Sequence, residues 1–176
     1  MVEYTGTGPE QSAATSSDTH KAAWRQTIDE MEAMADELEA DGWDVVAFPA
    51  GHTGPEAPDH GDDQERFGLT HVIPGNKVDP FLEAYESGSF EDYQVFQNEV
   101  AGRVFVVTVI QDRPTETAII IAGSYERRHA QGLVRAATEA NAMYTHVRRL
   151  DGTDVGTFEH EDYRPFFPDA DRSTSQ

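Results

Sequence analysis

Arginine and histidine are the residue types in this chain best placed to do chemistry. Between residues 100 and 150 stand Arg103, Arg113, Arg127, Arg128, Arg135, Arg148 and Arg149, against Asp112, Glu116, Glu126 and Glu139. That segment is net positive in a chain of 33 Asp and Glu against 13 Lys and Arg, with formal net charge −20. A reversal of sign inside so acidic a chain suits an anionic ligand. Ser124 reads as the N-cap of a helix, which puts Arg127 and Arg128 in its first turn. Cations there oppose the helix dipole by about 0.3–1 kcal/mol each, and a bound anion reverses that sign. Ser124, Arg127, Arg128 and Arg148 are therefore the expected anion-binding set. The plainer reading pairs the same arginines with nearby acids such as Glu126.

The chain has seven histidines. His71 alternates with Phe67, Leu69 and Ile73, so it belongs to the inward face of a strand. A buried, hydrogen-bonded core histidine is the plainer role, and acid–base catalysis the sharper one. An enzyme would build its pocket from His71, Arg148 and the loop 49–66. That loop carries His52, Asp59, His60, Asp62 and Asp63. Imidazole and carboxylate could take a divalent cation. No two of them share a helical or strand spacing that would preorganise a site, so no metal is assigned. Glu159, His160 and Glu161 are neighbours on a strand and alternate between its faces, which gives them a weaker claim still. Phosphate loops, zincin helices and nucleophile elbows are absent, and no cofactor is expected.

These groups sit in 176 residues, about one domain's length. There is no cysteine, which excludes thiol catalysis, disulfides and cysteine metal sites. No apolar run approaches the ~20 residues of a membrane span, and the first twenty residues lack the basic start and apolar core of a secretory signal. The expectation is a cytoplasmic protein with no membrane partner. Acids are spread along the whole chain, and only two residues, Lys21 and Lys77, are lysine. Molar salt shortens the Debye length to ~3 Å and screens such self-repulsion. The composition thus resembles that of a halophilic protein; the plainer alternative is an ordinary acidic protein or a nucleic-acid mimic. At molar salt, counterion release contributes little, which argues against nucleic acid as a partner.

Residues 1–17 and 169–176 read as disordered tails flanking one domain at 18–168. Asp18 or Thr19 opens a helix to Asp41, with Trp24, Ile28, Met31, Met34, Ala35 and Leu38 as its apolar stripe and Gly42 as its stop. Strands are expected at 43–48, 67–73, 90–98, 103–111, 116–122, 143–150 and 155–160, a short helix at 80–86 and a third helix from 124 to about 142. Ala101-Gly102, Asp112-Arg113-Pro114 and Asp151-Gly152 supply turns. Residues 67–111 and 116–160 share a strand-helix-strand-strand order, a weak internal echo that chance explains.

The strings Ala23-Trp24-Arg25, Asp41-Gly42-Trp43-Asp44-Val45, Arg66-Phe67-Gly68-Leu69-Thr70-His71-Val72-Ile73-Pro74, Gly102-Arg103-Val104-Phe105 and Tyr144-Thr145-His146 carry a family resemblance. Over about residues 24–168 the chain resembles a small haloarchaeal family of uncharacterised proteins. The resemblance implies no chemistry, because that family has no assigned activity.

The sequence thus points to an α+β fold, a mainly antiparallel sheet of about seven strands covered by three helices. Val104–Ile110 is apolar on both faces, and three helices can cover only one face of such a sheet. A homodimer, through the second face or the Phe166-Phe167 tail, is the expected solution. The functional expectation is an interaction or ligand-binding module with an anionic ligand. Two alternatives stay open: an enzyme with a pocket near His71 and the loop 49–66, and an RNA- or nucleotide-binding module using Arg127, Arg128, Arg148 and Arg149.

Overall fold

The computed structural model describes residues 9–58 and 67–168, with the side chains of 9–16 left aside. The first helix, α1 (Pro9–Ala40), starts ahead of the expected cap at Asp18 or Thr19. Its stripe of Trp24, Ile28, Met31, Met34, Ala35 and Leu38 packs on Val107, Val109, Ile120 and Ala122. Asp29, Glu30, Glu32, Asp36, Glu37 and Glu39 face solvent. The helix stops where Gly42 takes φ +93°. There the amide of Trp43 donates to the Leu38 carbonyl and that of Gly42 to Glu39, the paired bonds of a Schellman end.

Eight strands follow among the described residues: β1 (Asp44–Pro49), β2 (Thr53–Glu56), β3 (Gly68–Val72), β4 (Asp92–Val100), β5 (Arg103–Asp112), β6 (Thr117–Glu126), β7 (Met143–Arg148) and β8 (Asp154–His160). Two further helices are α2 (Val78–Ser87) and α3 (Gln131–Ala140). The strands do not form the single sheet of about seven expected from the sequence. They form two sheets of four, ordered β1-β6-β5-β4 and β2-β3-β7-β8. The expectation failed at Thr53–Glu56, read as loop because TGPE lacks any apolar alternation. Its backbone nonetheless pairs antiparallel with β3, and pairing, not propensity, makes it a strand.

The two-sheet arrangement answers the covering problem that the apolar strands posed. Phe105, Val107 and Val109 of β5 face outward, the latter two beneath α1, while Val104, Val106, Thr108 and Ile110 turn to the other side. That second face, assigned above to a partner subunit, is packed against residues of the second sheet, with Ile110 beside Val147 and Phe158. The Phe166 and Phe167 side chains are buried within the same chain, beside Tyr125 and Met143. The strand-helix-strand-strand order does recur as β3-α2-β4-β5 and β6-α3-β7-β8. The pairing is not equivalent, however: β3 runs parallel to β7, whereas β6 runs antiparallel to β5. The recurrence is one of element order without twofold symmetry.

Turn chemistry followed the sequence more closely. Ala101 and Gly102 both take positive φ, as the tight β4–β5 hairpin requires. Gly152 does the same between β7 and β8, where Asp151 Oδ1 accepts from the Thr153 amide at 2.9 Å.

Candidate functional site

A cavity of about 850 Å3 opens where α1 meets the carboxyl ends of the parallel strands β1 and β6. Lys21 and Trp24 line it from α1, His52 and Thr53 from the segment after β1, and Arg103 from β5. Ser124, Glu126 and Arg128 close the remaining side. Strand alternation puts Ser124 and Glu126 on one face of β6, and register sets Arg103 opposite Glu126. The Arg103 Nε donates to Ser124 Oγ at 2.9 Å, and its Nη1 to Glu126 Oε1 at 3.1 Å. Arg128 lies 3.8 Å from the other oxygen of the same carboxylate. Among the described residues, three cations, Lys21, Arg103 and Arg128, thus line this cavity against one carboxylate, that of Glu126.

A neighbouring cavity of about 760 Å3 shares the Glu126 and Arg128 wall and adds Arg127 and Arg135 beside Tyr125 and Phe167. There Arg127 Nη1 donates to Glu99 Oε1 at 2.8 Å. Tyr125 donates to the Phe166 carbonyl at 2.7 Å, and burial raises its phenol's pKa.

The expected anion-binding set is therefore divided. Ser124 is a residue of β6 and caps no helix. Arg127–Ala130 form one 3-10 turn, and α3 begins only at Gln131 without a side-chain cap. The dipole argument does not apply to Arg127 and Arg128, although Arg128 and Ser124 do share a cavity wall. Arg148 stands on the second sheet, 3.4 Å from Glu56 and 3.2 Å from Asp154, and lines neither cavity. Arg149 follows β7 outside both. In the loop 49–66, Asp59, His60, Asp62 and Asp63 lie outside the described residues, while His52 lines the larger cavity.

His71 is fully buried, as its spacing suggested, and lies directly behind Thr53. Its Nδ1 is 2.8 Å from Thr53 Oγ1. The imidazole presses on sheet one at Gly123, where a Cβ would come 2.9 Å from ring atoms Cε1 and Nδ1 and would also collide with the Thr53 hydroxyl. Glycine is needed there for close approach. Burial pushes the His71 pKa down from 6.5 to about 3, with His146 and His160 adding repulsion.

The residues that sequence reasoning missed complete a polar diagonal. On the second sheet, His71, Thr145 and His160 occupy β3, β7 and β8 at successive steps of two residues. His160 Nε2 is 2.7 Å from Thr145 Oγ1, and its ring lies 4.4 Å from that of Tyr93 on β4. Burial lowers its pKa to about 3 as well. On the first sheet, Gly123, Thr108 and Tyr93 form the matching diagonal across β6, β5 and β4. The interior between the sheets is thereby split. Ile73, Val147, Phe158, Ile110, Ile119 and Ile121 pack on one side; Phe67, Leu69, Met143, Val104 and Tyr125 pack on the other. The signal available in the sequence was Thr108 interrupting an otherwise apolar VFVVTVI, and two further polar residues, Thr145 and His160, at inward positions.

A family model described as a family of unknown function, DUF7529, matches residues 10–168. The chain belongs to this family. The match spans both arginine-lined cavities and the whole polar diagonal. No curated protein and no solved structure matches the chain. No described helix is long and apolar enough to cross a membrane.

Proposed function

We propose that this DUF7529 chain is a binding protein for a small phosphate- or carboxylate-bearing molecule, held in the 850 Å3 cavity at the ends of β1 and β6. One observation carries the reading: among the described residues, Lys21, Arg103 and Arg128 line that cavity against Glu126 alone, in a chain of net charge −20. Arg103 is fixed by Ser124 and Glu126, so its guanidinium is held in place before a ligand arrives. Lys21 and Arg128 supply adjustable charge, and Trp24 and Phe105 supply an apolar wall for the ligand's uncharged part.

The enzyme alternative draws on Thr53 and His71 meeting at the cavity floor. A histidine whose pKa is lowered to about 3 is a weak general base near neutrality, which favours binding over catalysis. The setting we propose is a salt-rich cytoplasm. The homodimer we propose uses the free edge of β4 and the adjoining strip of the outward face that α1 leaves open, where Phe96 is 46% exposed. Light scattering in molar salt tests it, and a mass of 19.5 kDa across micromolar concentrations would refute it.

Thermal unfolding in matched molar potassium chloride tests the binding reading, with inorganic phosphate and a nucleoside monophosphate as probes. A ligand at a hundredfold excess over Kd stabilises by about 2.7 kcal/mol, which moves Tm by about 5–10 °C in a domain of this size. Lys21→Glu with Arg128→Glu should abolish the shift. No shift with either probe at millimolar concentration would leave the cavity's arginines as partners of Glu126 and nothing more.

A further inference from the structure

The smaller cavity, of about 760 Å3, differs from its neighbour in both wall and charge. The β4–β5 turn forms one side through Ala101, and the first turns of α3 form another through Val134 and Arg135. Val134 and Pro168 are half-buried, and the buried Tyr125 and Phe167 lie at the base of the lining. The Tyr125 ring is pinned, because its hydroxyl donates to the Phe166 carbonyl at 2.7 Å. This apolar wall is in place before any ligand arrives. The charges are also set. Among the described residues the cations are Arg127, Arg128 and Arg135, and the acids are Glu99 and Glu126. Both acids are engaged: Glu99 with Arg127 at 2.8 Å, and Glu126 with Arg103 at 3.1 Å and Arg128 at 3.8 Å. Arg135 is exposed on α3 and has no ion-pair partner among the described residues.

We propose that this cavity is a second ligand site, selective for a monocarboxylate with an apolar or aromatic body. Three cations against two acids leave an excess that one carboxylate matches, whereas three against one in the larger cavity suit a doubly charged phosphate. The Arg135 guanidinium is a planar fork that a carboxylate meets with two parallel hydrogen bonds. The ligand's body then lies over Val134 and Pro168, as apolar walls with a few polar groups accommodate small molecules generally. Molar salt sharpens the selection. Charge alone is screened there and contested by chloride, so occupancy needs the apolar wall as well. The site stands whether or not phosphate binds next door, because the two linings share only Glu126 and Arg128 among the described residues.

The test is a titration of the full chain with phenylbutyrate in molar potassium chloride, followed by amide NMR. Saturable shifts centred on Ala101, Val134 and Arg135 are expected at millimolar probe. Acetate has the charge without the body, and phenylbutanol the body without the charge; each should bind about tenfold more weakly or less. Arg135→Glu should weaken phenylbutyrate about tenfold, since it replaces the unpaired cation with a repelling charge. Lys21→Glu, which alters only the larger cavity, should change the affinity by less than about twofold. The proposal is overturned if no saturable shifts occur, if either control probe binds as tightly as phenylbutyrate, or if the two variants lose affinity equally. Arg135 is exposed, so its replacement is tolerated by the fold; should it misfold, the three probes on the parent chain decide alone. Failure here leaves the phosphate reading of the larger cavity intact, because Lys21 and Arg103 do not line this one.

Discussion

Two cavities of similar size flank the polar diagonal, and their charges are opposite. The one at the Thr53 end, about 850 Å3, is lined by Lys21, Arg103 and Arg128 with Glu126. The one at the Tyr93 end, about 740 Å3, is lined by Glu91, Asp92, Glu159 and Glu161 and, among the described residues, by no lysine or arginine. Composition alone accounts for the second, since acids outnumber bases 33 to 13. It does not account for the first. The acidic cavity is a sample of the chain's solvated surface, whereas the cationic one concentrates scarce positive charge against the average. Ligand chemistry is therefore to be sought at the Thr53 end, and salt dependence at the Tyr93 end and on the acidic face of α1.

Removing salt should have the largest effect. Repulsion among surface carboxylates is screened by molar salt and reappears as the Debye length grows from ~3 Å to ~10 Å near 0.1 M. We expect loss of tertiary structure below a few tenths molar salt, read by near-UV circular dichroism. A spectrum and Tm unchanged down to dilute buffer would sink the halophilic reading and make the two cavities' contrast a matter of composition only.

Acidification should come next, and it addresses the polar diagonal rather than the surface. His71 faces Gly123 and Thr53; His160 faces Tyr93, Phe166 and Thr145. Both imidazoles have pKa values lowered to about 3, so the folded state keeps them neutral while the unfolded chain takes protons near 6.5. The unfolded state binds more protons between those values, so stability falls as pH drops from about 6.5 toward 3 and is unaffected above that window. At pH 5 the loss is about 2 kcal/mol per histidine. Urea midpoints at pH 7.5 and 5.0 in molar salt check this above the range where most carboxylates titrate. His160→Phe should remove about half of the difference; an equal difference in that variant would place the proton uptake elsewhere.

The legible parts of the fold were those set by local pattern. The α1 stripe, the Gly42 stop and the Ala101-Gly102 and Asp151-Gly152 turns are all determined by neighbours within a few residues. Pairing between distant segments was not legible. Nothing in Thr53–Glu56 announces that it will join β3, and without that strand the second sheet looked like part of the first. The same limit affected the site. Ser124 looked like a helix cap because serine is a favoured N-cap residue ahead of an expected helix, yet β6 extends to Glu126 through its register with Arg103. His71 was assigned to the interior by alternation, correctly, but its company of Thr145, His160 and Thr108 comes from four strands whose order only the tertiary structure sets. Lys21 and His52, thirty-one positions apart in sequence, meet at the cavity for the same reason.

The smallest expected effect is also the most direct test of the charge contrast. Glu91→Gln with Glu159→Gln removes two carboxylates from the acidic cavity, and Lys21→Gln with Arg128→Gln removes two cations from the other. Both pairs are exposed on their cavity walls, where single charges contribute modestly and are screened by salt. At the lowest salt that still supports folding, the first pair should raise Tm by about 1–2 °C and the second lower it by about as much. The opposite signs follow from the local field: the carboxylates repel their neighbours, whereas the cations relieve a surface of excess negative charge. Both shifts should shrink toward zero in molar salt, where the Debye length is shorter than the spacing of the groups. Shifts of the same sign in the two variants, or shifts that persist in molar salt, would mean that packing rather than charge distinguishes the two ends of the diagonal.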